Sequence, residues 1–339
     1  MPSFLRNQGL YKMTSSIHQN MNGIDLMKFL CAILIVIIHI DPFTCDVSGL
    51  REYVNFGLQN YICRIAVPFY FVCSGFFLFR KMPSYKPDID VIKKYCFRIF
   101  KLIGIWHVIL RWGGTYHLWY LSATVVAVIL LSLCFHFGIK DKIICLLACF
   151  FYIIGLLGDS YHGMSAYFAN IPVVESIAIY YGIVFGTTRN GVFMGFVFVL
   201  MGALFSHCKV ILRPLPAFIG FVVSMAGMFI EVCLLKMNNI PIAYNMYIFL
   251  LPTVYFMFSF AYSIPLKDHA IYKHLRNIGM FIYLLHLLVN EIVSQVISGI
   301  NKWENCELFF SLTLTIVIAV SIEWLSCKKK YKWITWLLA

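Results

Sequence analysis

The sequence predicts an all-α, polytopic integral membrane protein with about ten transmembrane helices. Three observations carry that prediction. First, 61% of the 339 residues are hydrophobic and only 12% are charged, against roughly a quarter charged in soluble globular proteins. A chain so poor in charge cannot cover its apolar surface in water, so its solvent is lipid. Second, the apolar residues gather into repeated runs, and about 20 helical residues suffice to cross a hydrocarbon core of roughly 30 Å. Third, the formal charge of +12 resides mainly in short loops between those runs. That is the pattern that sets membrane orientation, and it excludes nucleic acid as the partner the charge serves.

In chain order the runs are 24–42, 61–79, 95–112, 117–137, 142–158, 190–206, 216–235, 245–264, 278–297 and 308–326. The first begins near Ile24 after a polar, mildly basic leader and is long enough to span, so it reads as a membrane helix and not as a cleavable signal peptide. Arg98, Lys101 and His107 interrupt the third run. The stretch 159–189, with Asp159, His162, Glu175 and Arg189, is too polar to span and reads as an extracytoplasmic loop carrying a short interfacial or re-entrant helix. No internal repeat or low-complexity segment divides the chain, so residues 1–339 read as one domain whose spans occupy 24–326 between short cytoplasmic tails. With the N-terminus inside, twenty of the 27 Lys and Arg residues fall on the cytoplasmic face. Six fall opposite, namely Arg51, Arg64, Arg111, Arg189, Lys236 and Lys302, and Lys28 lies inside the first span. Such a bias places both termini in the cytoplasm of a cell-membrane protein, and one span more or fewer would spoil it. The twelve cysteines lie mostly inside apolar runs without a CxxC pair and read as small buried hydrophobes. Cys45 and Cys306 share a face and are free to pair, although nothing in the sequence requires it.

Ionisable groups inside a span cost several kcal/mol unless paired or wetted, so each is a functional candidate. Lys28 and His39 are separated by eleven positions on the first helix, about three turns, and so share one face about 16 Å apart along the axis. A cation gripping an anionic carrier at one level and an imidazole for chemistry at another would suit transfer across a bilayer. The plainer reading has Lys28 snorkelling to headgroups and His39 capping a helix end beside Asp41-Pro42. Arg64 lies near the outer end of the second span, four residues before Pro68, where a freed carbonyl suits a cavity wall; it equally suits an interfacial anchor. Arg98 and Lys101 are i, i+3 neighbours on one face. They can bind phosphates of a cofactor or lipid, or simply belong to the cytoplasmic charge bias. His117 and Trp119 open the fourth span at the outer interface, where Trp119 fits an aromatic belt. Glu231 lies near the outer end of the seventh span, and His286 midway along the ninth. His39, Arg64, His117, Glu231 and His286 thus all fall in the outer half or at the midplane, where helix packing can gather them around one hydrated cavity.

The segments "NGIDLMKFLCAILIVIIHIDPF", "RIAVPFYFVCSGFFLFRK", "HLWYL" and "IYLLH" resemble landmarks of the acyltransferase-3 family, ten-helix bacterial O-acyltransferases of surface polysaccharides and related glycans. Closer still, "IGLLGDS", "TRNG" and "YIFLLP" resemble the membrane half of the membrane-bound serine racemases of vancomycin resistance. That half belongs to the same family and is associated with serine supply. The chain stops at Ala339, where a racemase would begin, so the membrane module alone is expected. The family's Arg, separated by ten intervening residues from the His in the first helix, is Lys28 here, and its Arg-x-x-Arg is Arg98-x-x-Lys101. Charge is kept in both places, but the guanidinium fork is lost.

The resemblance implies an acyltransferase of the class moving groups other than aminoacyl groups. It would take acetyl from cytoplasmic acetyl-CoA, or another acyl group from its acyl-CoA, to a hydroxyl of an extracytoplasmic or lipid-linked glycan as O-acetylation of the cell envelope. It implies His39 as general base or transient acyl acceptor, with Lys28 as its partner in catalysis. Lys28, Arg98 and Lys101 would hold the carrier, and Arg64, His117, Glu231 and His286 would position the acceptor or stabilise an oxyanion. Membrane lipids are the other expected partners, and no metal is expected. Two rivals from other classes stand beside it: a transporter-like module for a small polar solute such as serine, and a lipid or glycan scaffold without catalysis.

Overall fold

The computed structural model describes residues 21–42, 49–82, 87–110, 116–166, 186–208, 211–297 and 306–338, and every regular element among them is helical. In chain order these are α1 (Asn22–His39), α2 (Leu50–Asn60), a 3-10 turn at Ile62–Ile65, α3 (Ala66–Phe79), α4 (Ile89–Ile109), a 3-10 turn at Tyr116–Leu118, α5 (Trp119–His136), α6 (Asp141–Leu157), α7 (His162–Ala166), a π turn at Gly191–Gly195, α8 (Phe196–Cys208), α9 (Pro214–Met237), α10 (Leu250–Ser263), α11 (Ile271–Ile297), α12 (Glu307–Ser326) and a 3-10 segment at Lys329–Leu338.

Each of the ten apolar runs coincides with a helical segment, yet six helical stretches are long and apolar enough to cross a membrane by length and composition. They are Asn22–His39, Leu50–Phe79, Trp119–His136, Pro214–Met237, Ile271–Ile297 and Glu307–Ser326. The others fall short for local reasons. Helix α4 has the length but carries Asp90, Lys93, Lys94, Arg98 and Lys101. Helix α6 has 17 residues, and the apolar stretches Gly191–His207 and Leu250–Ser263 are also short.

Boundaries shift where a side chain supplies a cap. Asp88 accepts from the backbone N–H groups of Asp90 (3.0 Å) and Val91 (3.2 Å), so α4 starts at Ile89 and not near 95. Asn190 accepts from Val192 and Phe193 N–H at 2.9 and 3.1 Å and opens the π turn. Helix α2, too polar to register as an apolar run, is an addition to the expected elements. The short helix expected within 159–189 is α7; Glu175 and the rest of 167–185 lie outside the described residues. Among the described residues no disulfide forms, and Cys306 is exposed; Cys45 lies outside the described residues.

The central helices are locked by close backbone approach. A Cβ on Gly75 of α3 would strike the Val199 carbonyl of α8, and one on Gly202 would strike the Val72 carbonyl in return. Small residues let membrane helices meet at such distances. Around this contact Phe69, Phe76, Phe205, Phe258 and Tyr262 pack at ring separations of 4.7 to 6.4 Å. Helices α1 and α11 lie side by side in the same sense. Asp25 pairs with Arg276 at 3.6 Å, Gly279 faces Phe29 and Ala32, and the His39 and His286 rings lie 5.2 Å apart. Among the six membrane-length stretches the apolar part of Leu50–Phe79 is the most buried, at 67%, whereas those of α9 and α12 are 28% and 22% buried. Those two therefore form the rim, and their exposed Phe218, Val223, Ile230, Phe309, Val317 and Trp324 suit a lipid-facing surface.

Candidate functional site

Six helix ends meet at one level of the bundle. His39 is the last residue of α1. Arg64 sits in the 3-10 turn ahead of α3, and His117 in the turn ahead of α5. Asp159 follows α6, Arg189 precedes the π turn, and Asn245 precedes α10. Chain ends carry the polar residues that apolar helix interiors exclude, so their meeting creates a polar chamber. His39, Arg64, His117, Trp119, Arg189 and Asn245 line it together with Tyr120, Tyr283 and the apolar Ile35, Ile38, Val67 and Met194, around a narrow cavity of about 30 Å³ that opens to one side.

Asp159 organises the polar wall. Its Oδ1 accepts from the backbone N–H of Asn245 (2.7 Å) and Met246 (3.2 Å) and from the Ser160 hydroxyl (2.9 Å). Its Oδ2 accepts from the Asn245 side-chain amide at 2.7 Å. That bond fixes which way the amide points, so Asn245 Oδ1 faces the two arginines. Arg64 donates to it at 2.6 Å and Arg189 at 3.4 Å. Arg64 is also held by Asn60 Oδ1 at 2.8 Å, and the Arg189 guanidinium lies 4.8 Å from the Trp119 ring centre, a cation–π geometry. Arg189 stands just ahead of the sixth run; burial pulls its pKa below the ordinary arginine value while Asp159 pulls it back up.

Two imidazoles, His39 and His117, line the cavity, and a third, His286, packs behind them. The His286 ring lies 5.2 Å from His39 and 5.0 Å from His117. His286 is fully buried, and its Nδ1 is 2.8 Å from the Tyr283 carbonyl. A carbonyl only accepts, so Nδ1 carries the proton and the neutral ring keeps its lone pair on Nε2. Nε2 is buried without a hydrogen-bond partner. Tyr283 in turn donates to the His117 carbonyl at 2.8 Å, which ties α11 to the turn before α5.

The structure therefore brings together His39, Arg64 and His117 at the cavity, with His286 stacked behind. Glu231 is not among them. Its Oε1 accepts from the Tyr161 hydroxyl (2.6 Å) and from Ile248 N–H (2.7 Å), and its Oε2 from Phe249 N–H (2.9 Å). It caps the turn that leads into α10, whose first helical residue is Leu250. Burial, and the Glu231 carboxylate it bonds, hold the Tyr161 hydroxyl above the usual phenol range. Glu231 faces a separate, mostly apolar groove with Ile230, Leu234 and Phe249.

Lys28 lies deeper along α1, half-buried, its ammonium 4.3 Å from the Phe77 ring centre. Between it and His39 stand hydroxyl groups. Tyr70 donates to the Lys28 carbonyl at 2.6 Å, and Ser74 and Tyr120 share a bond of 3.0 Å. On α4, Arg98 is exposed and Lys101 half-buried. Among the described residues one trio of potential metal ligands, His274, Glu323 and Cys327, gathers within 4.8 Å. It lies near the start of α11, about 18 Å along the axis from His286, and its His274–Glu323 pair is already joined at 2.9 Å.

Asn245, Asn60 and the cavity role of Arg189 were not among the sequence candidates. Their signal was weak: single polar residues at the edges of apolar runs, where such residues are ordinary.

The acyltransferase domain family model matches residues 21–110, a segment that holds Lys28, His39, Arg64, Arg98 and Lys101. Over 342 residues the chain is 27% identical to the serine/alanine racemase of Enterococcus gallinarum, covering 92% of this chain and 46% of that protein. An amino-acid racemase of Enterococcus faecalis is 28% identical over 267 residues, covering 71% of this chain and 36% of the relative. Another from the same organism is 26% identical over 345 residues, covering 92% and 47%. The chain thus spans less than half the length of these curated relatives. No solved structure matches. The resemblance drawn from the sequence motifs is present in both comparisons.

Proposed function

We propose that this protein is a membrane-bound acyltransferase. It carries an acyl group, acetyl in the simplest case, from cytoplasmic acyl-CoA to a hydroxyl of an extracytoplasmic or lipid-linked glycan. The observation that carries the reading is the placing of His39. It belongs to the segment that matches an acyltransferase domain and lines a cavity with two guanidinium groups, while Lys28 stands on the same helix about 16 Å away. In this reading all ten helical runs cross a cell membrane and both termini are cytoplasmic. The meeting of helix ends supports it: the ends of α1 and α6 share a level with the starts of α3, α5, the π turn and α10, as crossings of alternating sense require.

The chemistry follows from the groups present. His39 takes the proton of the acceptor hydroxyl as that oxygen attacks the thioester carbonyl carbon. Negative charge develops on the carbonyl oxygen, which a ring N–H of His117 on the same cavity wall stabilises. The C–S bond then breaks, the ester forms, and the departing sulfur takes the proton from His39 to leave as the CoA thiol. Lys28, Arg98 and Lys101 hold the anionic carrier on the cytoplasmic side, and the acyl-bearing arm reaches His39 past the Tyr70, Ser74 and Tyr120 hydroxyls. The test is mass spectrometry of surface glycans from cells carrying the wild type, His39→Ala or no copy of the gene. An acyl mass present only with the wild type is expected. Its presence with His39→Ala, at equal protein level, removes His39 from the chemistry.

A second reading, a transport module for a small polar solute such as serine, is favoured by the similarity to racemases over 92% of this chain. Serine uptake into proteoliposomes with no effect of acetyl-CoA would establish it in place of acyl transfer.

A further inference from the structure

We propose that Arg64 and Arg189 together bind an anionic group, a carboxylate or a phosphate, on the molecule that enters the cavity. The inference rests on reading the His39 cavity as the place where that molecule is bound, and it names the molecule's class: one with a hydroxyl close to an oxyanion. Two cations stand on one wall of the cavity, and among the described residues the side chains lining it include no carboxylate. Among the described residues neither guanidinium has a carboxylate oxygen within 4.0 Å. The nearest acid in the network, Asp159, is occupied by four donors, two from Asn245 and one each from Met246 and Ser160.

The two guanidinium groups instead converge on one neutral oxygen, Asn245 Oδ1. That is an economical way to hold two like charges in place without neutralising either. Arg64 Nε is moreover buried without a hydrogen-bond partner. Two forks beside each other, one braced by Asn60 and Asn245 and the other stacked on Trp119, are preorganised for an oxyanion, which a guanidinium grips through paired N–H donors. An oxyanion held there leaves a hydroxyl on the same small molecule to face His39 across the cavity. The shared chemistry has two sources, the carboxylate of a small or sugar acid and the phosphate of a phosphorylated or lipid-linked carrier.

The experiment uses the full chain purified in a neutral detergent, with three probes: glycolate, its uncharged amide glycolamide, and glycerol 1-phosphate. Binding is followed by saturation-transfer NMR and thermal shift. At least one anionic probe should bind at least about tenfold better than glycolamide, and its binding should weaken as salt is raised. Preference for glycolate assigns the carboxylate source, and preference for glycerol 1-phosphate the phosphate source. Arg189→Gln should weaken binding at least about tenfold. Arg64→Lys, which keeps the charge and guards against misfolding, should weaken it by less than a full loss. The proposal is overturned if both anionic probes bind no better than glycolamide, or if Arg189→Gln and Arg64→Lys leave binding unchanged. The two readings fail separately. Oxyanion binding without acyl transfer removes the acyltransferase reading alone. Acyl transfer with no oxyanion binding removes this proposal alone.

Discussion

Glu231 offers the sharpest test of how side chains are assigned in this bundle, because sequence position suggests a substrate ligand whereas its bonds describe a cap. Glu231→Gln keeps the shape and removes the charge. An amide has one acceptor oxygen, so it can retain the Tyr161 hydroxyl and Ile248 N–H, which now share Oε1. Its NH2 must then face Phe249 N–H, which now bonds Oε2, leaving a buried donor opposite a donor. An unsatisfied buried donor costs about 1–3 kcal/mol, and each surviving bond loses about 1 kcal/mol on passing from a charged to a neutral acceptor. Relief from burying a carboxylate offsets part of this, so the net loss is about 2–4 kcal/mol. At about 2 °C per kcal/mol for a chain above the small-domain range, the midpoint should fall by roughly 4–8 °C. Tyr161→Phe removes one bond to a charged acceptor and should cost about 1.5–3 kcal/mol. The assay is thermal unfolding in detergent with a thiol-reactive dye, since Cys31, Cys63 and Cys73 are buried in the fold and react on unfolding. A Glu231→Gln protein with an unchanged midpoint but weakened acceptor binding would refute the cap and return Glu231 to the binding site.

Four further outcomes are expected. His39→Ala should lower acyl transfer by about a hundredfold or more, the usual contribution of a general base, with the thermal midpoint of the purified protein retained; activity within a few fold of wild type would dismiss the base. Lys28→Arg should preserve or raise activity because it restores a forked donor, and Lys28→Ala should raise KM for acyl-CoA more than it lowers kcat. An unchanged KM in Lys28→Ala would separate Lys28 from the carrier. Gly202→Val forces side-chain atoms onto the Val72 carbonyl and should cost more than the about 1–3 kcal/mol typical of overpacked side chains, read as loss of folded, monodisperse protein in size-exclusion chromatography. Cysteine-accessibility labelling should place 80–94 and 328–339 inside and 159–189 outside, and termini on opposite faces would end the even-span topology.

Helices were legible in the sequence because in lipid the backbone must satisfy itself locally, so length and apolarity alone nearly determine them. What apolarity misses is polar by nature. Helix α2, with Arg51, Glu52, Asn55, Gln59 and Asn60, carries no apolar run, yet it supplies Asn60 to Arg64 and Gln59 to Asp41 at 2.7 Å. The candidate site was half legible for the same reason. His39, Arg64 and His117 stand out as ionisable groups beside apolar runs, and the cost of leaving them in lipid predicts that they share a wet chamber. Glu231 obeys the same cost argument, but a carboxylate can also be satisfied inside the fold, here by two backbone N–H groups and the Tyr161 hydroxyl at 2.6 to 2.9 Å. Expense therefore identifies groups that need partners without naming the partner. A carboxylate accepts, and every helix start offers unpaired N–H donors close at hand. A guanidinium only donates, and Arg64 and Arg189 both reach for the same oxygen of Asn245. Buried acids near a helix start are thus readily absorbed by the fold, whereas half-buried arginines sharing one neutral acceptor leave positive charge facing the cavity, and that excess is what a ligand can use.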